Sequence, residues 1–189
     1  MNTRKITSMA VLAALSVVLV AIIHIPMPAP ISFLEYDPAD IPILICGFAF
    51  GPAAGLAVTL IASLIQGLTV SAHSGIYGII MHVLATGTYT LVSAAIYDRR
   101  KSKKTAAAAI GAGSLAMAAV MFGANLVVTP YFMLGAVNAQ TVGTVLSLMP
   151  YILLFNFGKA IVNGIVTFLV YKRVSPILHR EKKEAANAA

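Results

Sequence analysis

The sequence predicts an all-α, polytopic membrane protein with six transmembrane helices, a short second helix and a first outer loop that dips into the membrane. Three observations lead there. Hydrophobic residues make up 59% of the 189-residue chain and charged residues 10%, with no Trp. Apolar runs of about 20 residues, the length that crosses a hydrocarbon core, recur along the chain. Twelve of the 13 Lys and Arg fall in three short clusters beside those runs: Arg4 and Lys5; Arg99, Arg100, Lys101, Lys103 and Lys104; and Lys172, Arg173, Arg180, Lys182 and Lys183. Basic residues placed this way set topology, so the net charge of +7 is read as membrane orientation and not as a nucleic-acid footprint. Residues 1–189 read as one membrane domain, with no room for an ATPase, a redox domain or a soluble receptor.

The first span covers about residues 7–25 and ends at Pro26, Pro28 and Pro30, each of which lacks a backbone N–H. A basic start followed by an apolar stretch also fits a signal peptide. The stretch ends in His24-Ile25-Pro26 without a small-x-small cleavage site, which favours an uncleaved span. The sequence ISFLEYDPAD then carries Glu35, Asp37 and Asp40, three of the chain's six acids. The run from Ile41 to Val70 is almost wholly apolar, and parity divides it. Arg4 and Lys5 place the N-terminus in the cytoplasm, and the Arg99–Lys104 cluster belongs there too, so an even number of spans separates them. A break at Gly51-Pro52 meets that requirement with residues that end and start helices. It gives spans at 39–50 and 52–70. The former is too short to cross alone, so the loop before it must enter the membrane, where irregular backbone is tolerated if it lines a cavity. Further spans follow at 75–97, 105–128 and 150–171, and the stretch 129–149 reads as an outer loop with a short helical piece. Both termini then lie on the cytoplasmic side of a plasma membrane, and the outer loops contain no Lys or Arg.

Lys159 is the one basic residue inside an apolar run. It lies 13 residues before Lys172, roughly 20 Å along a helix, too deep to snorkel easily. A cation at that depth costs at least ~2.5 kcal/mol and by default marks a functional site, although a purely structural ion pair satisfies it equally. The acids available on the outer side are Glu35, Asp37 and Asp40, and pairing with one would lower the cost of burying both charges. Asn156 and Asn163, three residues before Lys159 and four after it, share its helix face. Asn125 adds an amide near the end of the fifth span. Each Asn alone fits an interhelical hydrogen bond; together with Lys159 they outline a polar pocket. Tyr36 offers a ring, Asp37 and Asp40 offer acceptors, and Asp40 also fits a helix cap. The four His show no metal spacing and fit loop or packing roles. Cys46 is single, so no disulfide framework exists. No nucleotide-binding loop or hydrolase motif is present, and an enzyme is not expected.

LEYDPADIPILICGFAFGPAAGL, the Ser74-Gly75 helix start, NLVVTPYF and FNFGKAIVNG follow one another in an order and spacing that resemble the substrate-binding S-component of energy-coupling factor (ECF) vitamin transporters. The resemblance spans nearly the whole chain and is greatest to the riboflavin-specific branch; the lack of Trp weighs against the thiamine branch. It implies a six-helix, non-enzymatic subunit that binds riboflavin or a close flavin analogue as transported ligand, without a cofactor or metal. It also implies association with a transmembrane coupling protein and two cytoplasmic ATPases in the bilayer. By matching motif, Asn125 and Lys159 are the polar ligand contacts, with Asn156 beside them. Leu34, Tyr36, Asp37 and Asp40 form the loop wall, Gly75 lets the ring approach, and Ala10 and Ala14 face the coupling protein. Three alternatives remain beside that reading: an S-component for another vitamin or precursor, a stand-alone proton-coupled permease using Lys159, and an assembly protein whose polar stripe only joins helices.

Overall fold

A computed structural model describes residues 3–178. The basic residues Arg180, Lys182 and Lys183, and with them the predicted cytoplasmic tail, lie outside the described residues. The chain forms α1 (Thr3–Ile22), β1 (Ile25–Pro26), β2 (Glu35–Tyr36), α2 (Asp40–Phe50), α3 (Pro52–Leu68), a short 3-10 turn (Ala72–Ser74), α4 (Gly75–Arg99), α5 (Lys103–Leu134) and α6 (Ala139–Leu178). The all-α membrane class holds. Among the described residues four helices are long and apolar enough to cross a membrane: α1, α4 with its preceding turn, α5 and α6. The 11-residue α2 and 17-residue α3 are apolar but shorter.

The short α2 is the post around which the bundle packs, touching α1, α3, α4 and α6. Nine of its 11 residues are buried, as expected for a helix that is apolar on every side. The joint to α3 is local chemistry. Gly51 takes φ 94, a left-handed conformation that side chains disfavour, and Pro52 starts α3 where its missing N–H costs nothing. A Cβ at Gly55 would collide with the Thr90 methyl and the Gly47 backbone, so the small residues of this hairpin let α2, α3 and α4 approach closely. Leu12, Ile43, Val58, Tyr89, Met117 and Ala160 join the core from all six helices. Hydrogen bonds tie the helices together. Tyr89 donates to the Ala160 carbonyl at 2.8 Å and Ser93 to the Ala109 carbonyl at 3.0 Å. Leu64, Leu115, Leu154 and Leu169 point outward as an apolar belt suited to lipid.

Two sequence expectations are corrected. α1 ends at Ile22, because Ile25 and Pro26 pair antiparallel with Tyr36 and Glu35. The first loop is thus an ordered hairpin, closed further by Met27 N–H donating to the Leu34 carbonyl at 2.9 Å. The stretch 129–149 is mostly helix and not an outer loop. α5 continues through Pro130 to Leu134, and α6 starts at Ala139 and passes through Pro150. Prolines that break a water-exposed helix are tolerated inside a bundle whose neighbours restore the lost contacts. The turn itself shrinks to residues 135–138. Gly135 closes α5 with φ 70, and the Asn138 carboxamide oxygen accepts the Gln140 and Thr141 N–H groups, both at 3.0 Å. The added turns of α6 bury Val145, Met149 and Ile152, spaced four and three apart, against Ile31 of the first loop.

Candidate ligand-binding site

The start of α2 and the middle of α6 meet beneath the first loop. Lys159 Nζ lies 2.7 Å from Asp37 Oδ2, and the two side chains are only 9% and 13% exposed. The other Asp37 oxygen accepts the Ala39 N–H at 2.9 Å, which fixes the chain as it enters α2. Burial disfavours the Asp37 charge, and the Lys159 ammonium and the Ala39 N–H beside it compensate for the lost solvent. Asn163, one turn along α6, completes the seam. Its Nδ2 donates to the Asp37 carbonyl at 3.1 Å and to Asp40 Oδ2 at 2.8 Å, and its Oδ1 accepts from the Tyr36 hydroxyl at 3.0 Å.

Asp40 is fully buried, and both of its oxygens accept from protein donors, Asn163 and the Thr86 hydroxyl at 2.6 Å. It does not cap α2: no side-chain hydrogen bond caps that helix start, and the Asp37 bond to the Ala39 N–H lies just before it. Thr86 leads to His82, one turn earlier on α4, at 3.4 Å from Nε2. His82 Nδ1 lies 2.7 Å from the Ser63 hydroxyl on α3. One connected polar network therefore joins the first loop, α2, α3, α4 and α6.

A cavity of about 160 Å³ opens beside this network. Phe33, Leu34, Met81, Met117, Met121 and Phe155 supply apolar walls; Asp37, Ser63, Gln66, His82, Asn156 and Lys159 supply polar groups. Apolar walls with a few convergent polar groups are the usual makeup of a small-molecule site. Among the described residues no group of His, Cys, Asp or Glu is placed to hold a metal.

The predicted residues divide into three sets. Leu34, Asp37, Asn156 and Lys159 line the cavity together. Tyr36 and Asp40 stand behind it, holding Asn163 and Thr86. Asn125 and Gly75 are not among the lining residues. Asn125 is buried, with its amide donating to the Met121 carbonyl and its oxygen accepting from Thr129, both at 2.7 Å. Gly75 takes φ 52 at the start of α4, and its neighbours Ser74 and Gly78 reach the cavity. Lys159 meets a protein carboxylate, which is the pairing its depth called for. Sequence reasoning missed Ser63, Gln66, His82 and Thr86, and treated His82 as a loop or packing residue. Their spacings, three on α3 and four on α4, are the same one-face signal that marked α6. Ala10 and Ala14 are exposed on α1 and are not among the cavity-lining residues.

A model of the ECF transporter substrate-specific component family matches residues 4–171. Riboflavin transporter RibU of Staphylococcus aureus (strain TCH60) is 28% identical over 186 residues, covering 95% of this chain and 94% of that protein. Riboflavin transporter FmnP of Bacillus subtilis (strain 168) is 25% identical over 188 residues, covering 96% and 97%. A solved structure described as the S component of a bacterial ECF transporter superposes with a TM-score of 0.77 at 28% identity, over 94% of this chain and 99% of that one. The polar seam and its cavity thus lie in a transporter subunit and not in an enzyme: the chain belongs to the ECF transporter substrate-specific component family.

Proposed function

We propose that this chain is the riboflavin-binding subunit of an ATP-driven ECF uptake transporter of the plasma membrane, with six membrane crossings and both termini cytoplasmic. The observation that carries the ligand assignment is the cavity's composition. Phe33, Phe155 and the methionines Met81, Met117 and Met121 offer the apolar surfaces that a flat tricyclic ring requires. Lys159 and Asn156 line the cavity and offer donors suited to ring carbonyls, and Asp37 and His82 offer acceptors suited to an imide N–H or ribityl hydroxyls. Two relatives matched over more than nine-tenths of their length, both riboflavin transporters by name, support the same ligand. In this reading Leu34, Asp37, Asn156 and Lys159 touch the ligand, while Tyr36, Asp40 and Asn163 position the loop. Asn125 and Gly75 shape the adjoining ends of α5 and α4. Ala10 and Ala14 form a small-residue stripe for the coupling protein, whose two ATPases supply the energy. The short α2 and α3 complete six crossings with the first loop filling the space above α2.

Purification tests the assignment directly. Protein extracted from cells supplied with riboflavin should be yellow, with flavin absorbance near one equivalent per chain; colourless protein that does not quench added riboflavin fluorescence at micromolar concentration contradicts it. One observation favours a second reading. The Lys159–Asp37 pair and the Asp40–Thr86–His82 run, bridged by the Asn163 amide, bring together ionisable and hydroxyl groups of the kind that relay protons. A proton-coupled permease would accumulate riboflavin in vesicles that hold this chain alone under a proton gradient. Strict dependence on ATP and the partner subunits excludes it.

A further inference from the structure

The end of the bundle opposite the polar seam carries a second cavity, of about 440 Å³, between the ends of α4 and α6 and the start of α5. Its floor is aromatic and rigid. Phe48 stacks on Tyr97 with centroids 4.4 Å apart, and Tyr171 meets both rings edge-on at 5.6 and 5.8 Å. The Tyr171 hydroxyl donates to the Phe48 carbonyl at 3.1 Å, fixing α6 to α2. The rim is cationic: Lys101, Lys103 and Lys172, from two separate stretches of chain, line the cavity and are exposed. Among the described residues no acid lines it; Asp98, at 3.2 Å from Lys101, is the nearby carboxylate. One flank is apolar, because Leu169 lines the cavity while 64% exposed on the outer face of a membrane-spanning helix.

Three lysines would draw any phosphate, but a free phosphate has no use for an apolar flank that opens onto lipid. A molecule with a phosphate at the level of the helix ends and an acyl chain beside Leu169 uses both. We propose that this cavity is a binding site for an anionic phospholipid, with Lys101, Lys103 and Lys172 holding the headgroup phosphate. The aromatic floor gives that headgroup a fixed depth at the interface, as tyrosines at membrane boundaries do. The site is separate from the candidate ligand cavity and does not depend on the identity of that ligand.

Native mass spectrometry of the purified full chain, offered equal amounts of phosphatidylglycerol and phosphatidylcholine with the same acyl chains, tests this. The expected result is retention of phosphatidylglycerol about tenfold over phosphatidylcholine. Lys101→Gln/Lys103→Gln/Lys172→Gln should bring that ratio to within about twofold of unity. Arg99→Gln/Arg100→Gln/Lys104→Gln removes the same charge from residues that do not line the cavity and should keep the preference. All six positions are exposed, so both variants should fold. Glycerol phosphate, the headgroup chemistry without chains, should not displace the lipid at equal concentration. Absence of a preference in the parent protein, equal losses in the two triple variants, or equal competition by glycerol phosphate would each overturn the proposal.

Discussion

α2 connects two regions built on opposite principles. At its start, Asp40 joins a seam of buried charges and amides; eight residues on, about 12 Å along the helix, Phe48 enters a cluster of rings. The ring cluster holds α2, α4 and α6 by packed rings and one hydroxyl bond, so loss of ring volume disturbs it most. The polar seam holds the first loop, and two of its groups, Asp37 and Lys159, also face a cavity, where each can exchange a protein partner for a ligand group. Buried charges are costly when a partner is removed, whereas buried rings are costly when volume is removed. Under the proposed function, the first region serves recognition and the second scaffolding.

Substitutions that separate these roles should rank as follows. Lys159→Ala leaves the Asp37 carboxylate without its cation, and loss of one partner of a buried pair costs about 3–5 kcal/mol. Riboflavin affinity should fall by at least about 100-fold in a fluorescence-quenching titration. The paired change Lys159→Met/Asp37→Leu should recover much of the thermal stability without recovering binding. Recovery of both would reduce the pair to scaffolding. Phe48→Ala should lower stability by about 3–5 kcal/mol through the cavity it leaves, read as a fall in melting temperature, while the protein that remains folded binds riboflavin as before. His82→Phe removes the contacts to Ser63 and Thr86 at the cavity wall and should weaken binding about tenfold with a smaller effect on melting. Ala10→Trp, at an exposed position that does not line the cavity, should leave affinity within about twofold while abolishing uptake by the assembled transporter. Intact uptake would remove α1 from the coupling interface.

The sequence exposed some of this more readily than the rest, for physical reasons. Lys159 is conspicuous because a lone cation in an apolar run has few permitted explanations, and the outer acids leave Glu35, Asp37 and Asp40 as candidate partners. Gly51-Pro52 marked the α2–α3 joint because helix ends have strong residue preferences. The residues of α4 were quieter. His82 and Thr86 look like ordinary helix residues until the neighbouring helix presents Ser63 and Asp40 to them, and that juxtaposition is tertiary. Asp40 misled for the converse reason. An acid at a helix start fits a local cap, but a distant Asn163 and Thr86 compete for both of its oxygens. The stretch 129–149 is hard to read from sequence because Pro130 and Pro150 break helices in water, while here Pro130 is buried within α5, and Val145, Met149 and Ile152 hold the first turns of α6 against the first loop.

The central claim is that the Asp37–Lys159 seam is a recognition device and not a structural brace. Calorimetric titration of riboflavin into the purified chain and into Lys159→Met/Asp37→Leu tests it most directly, with melting temperatures measured on the same samples. Near-equal melting temperatures with binding lost in the variant is the predicted result. Equal riboflavin affinity in the two proteins would contradict it.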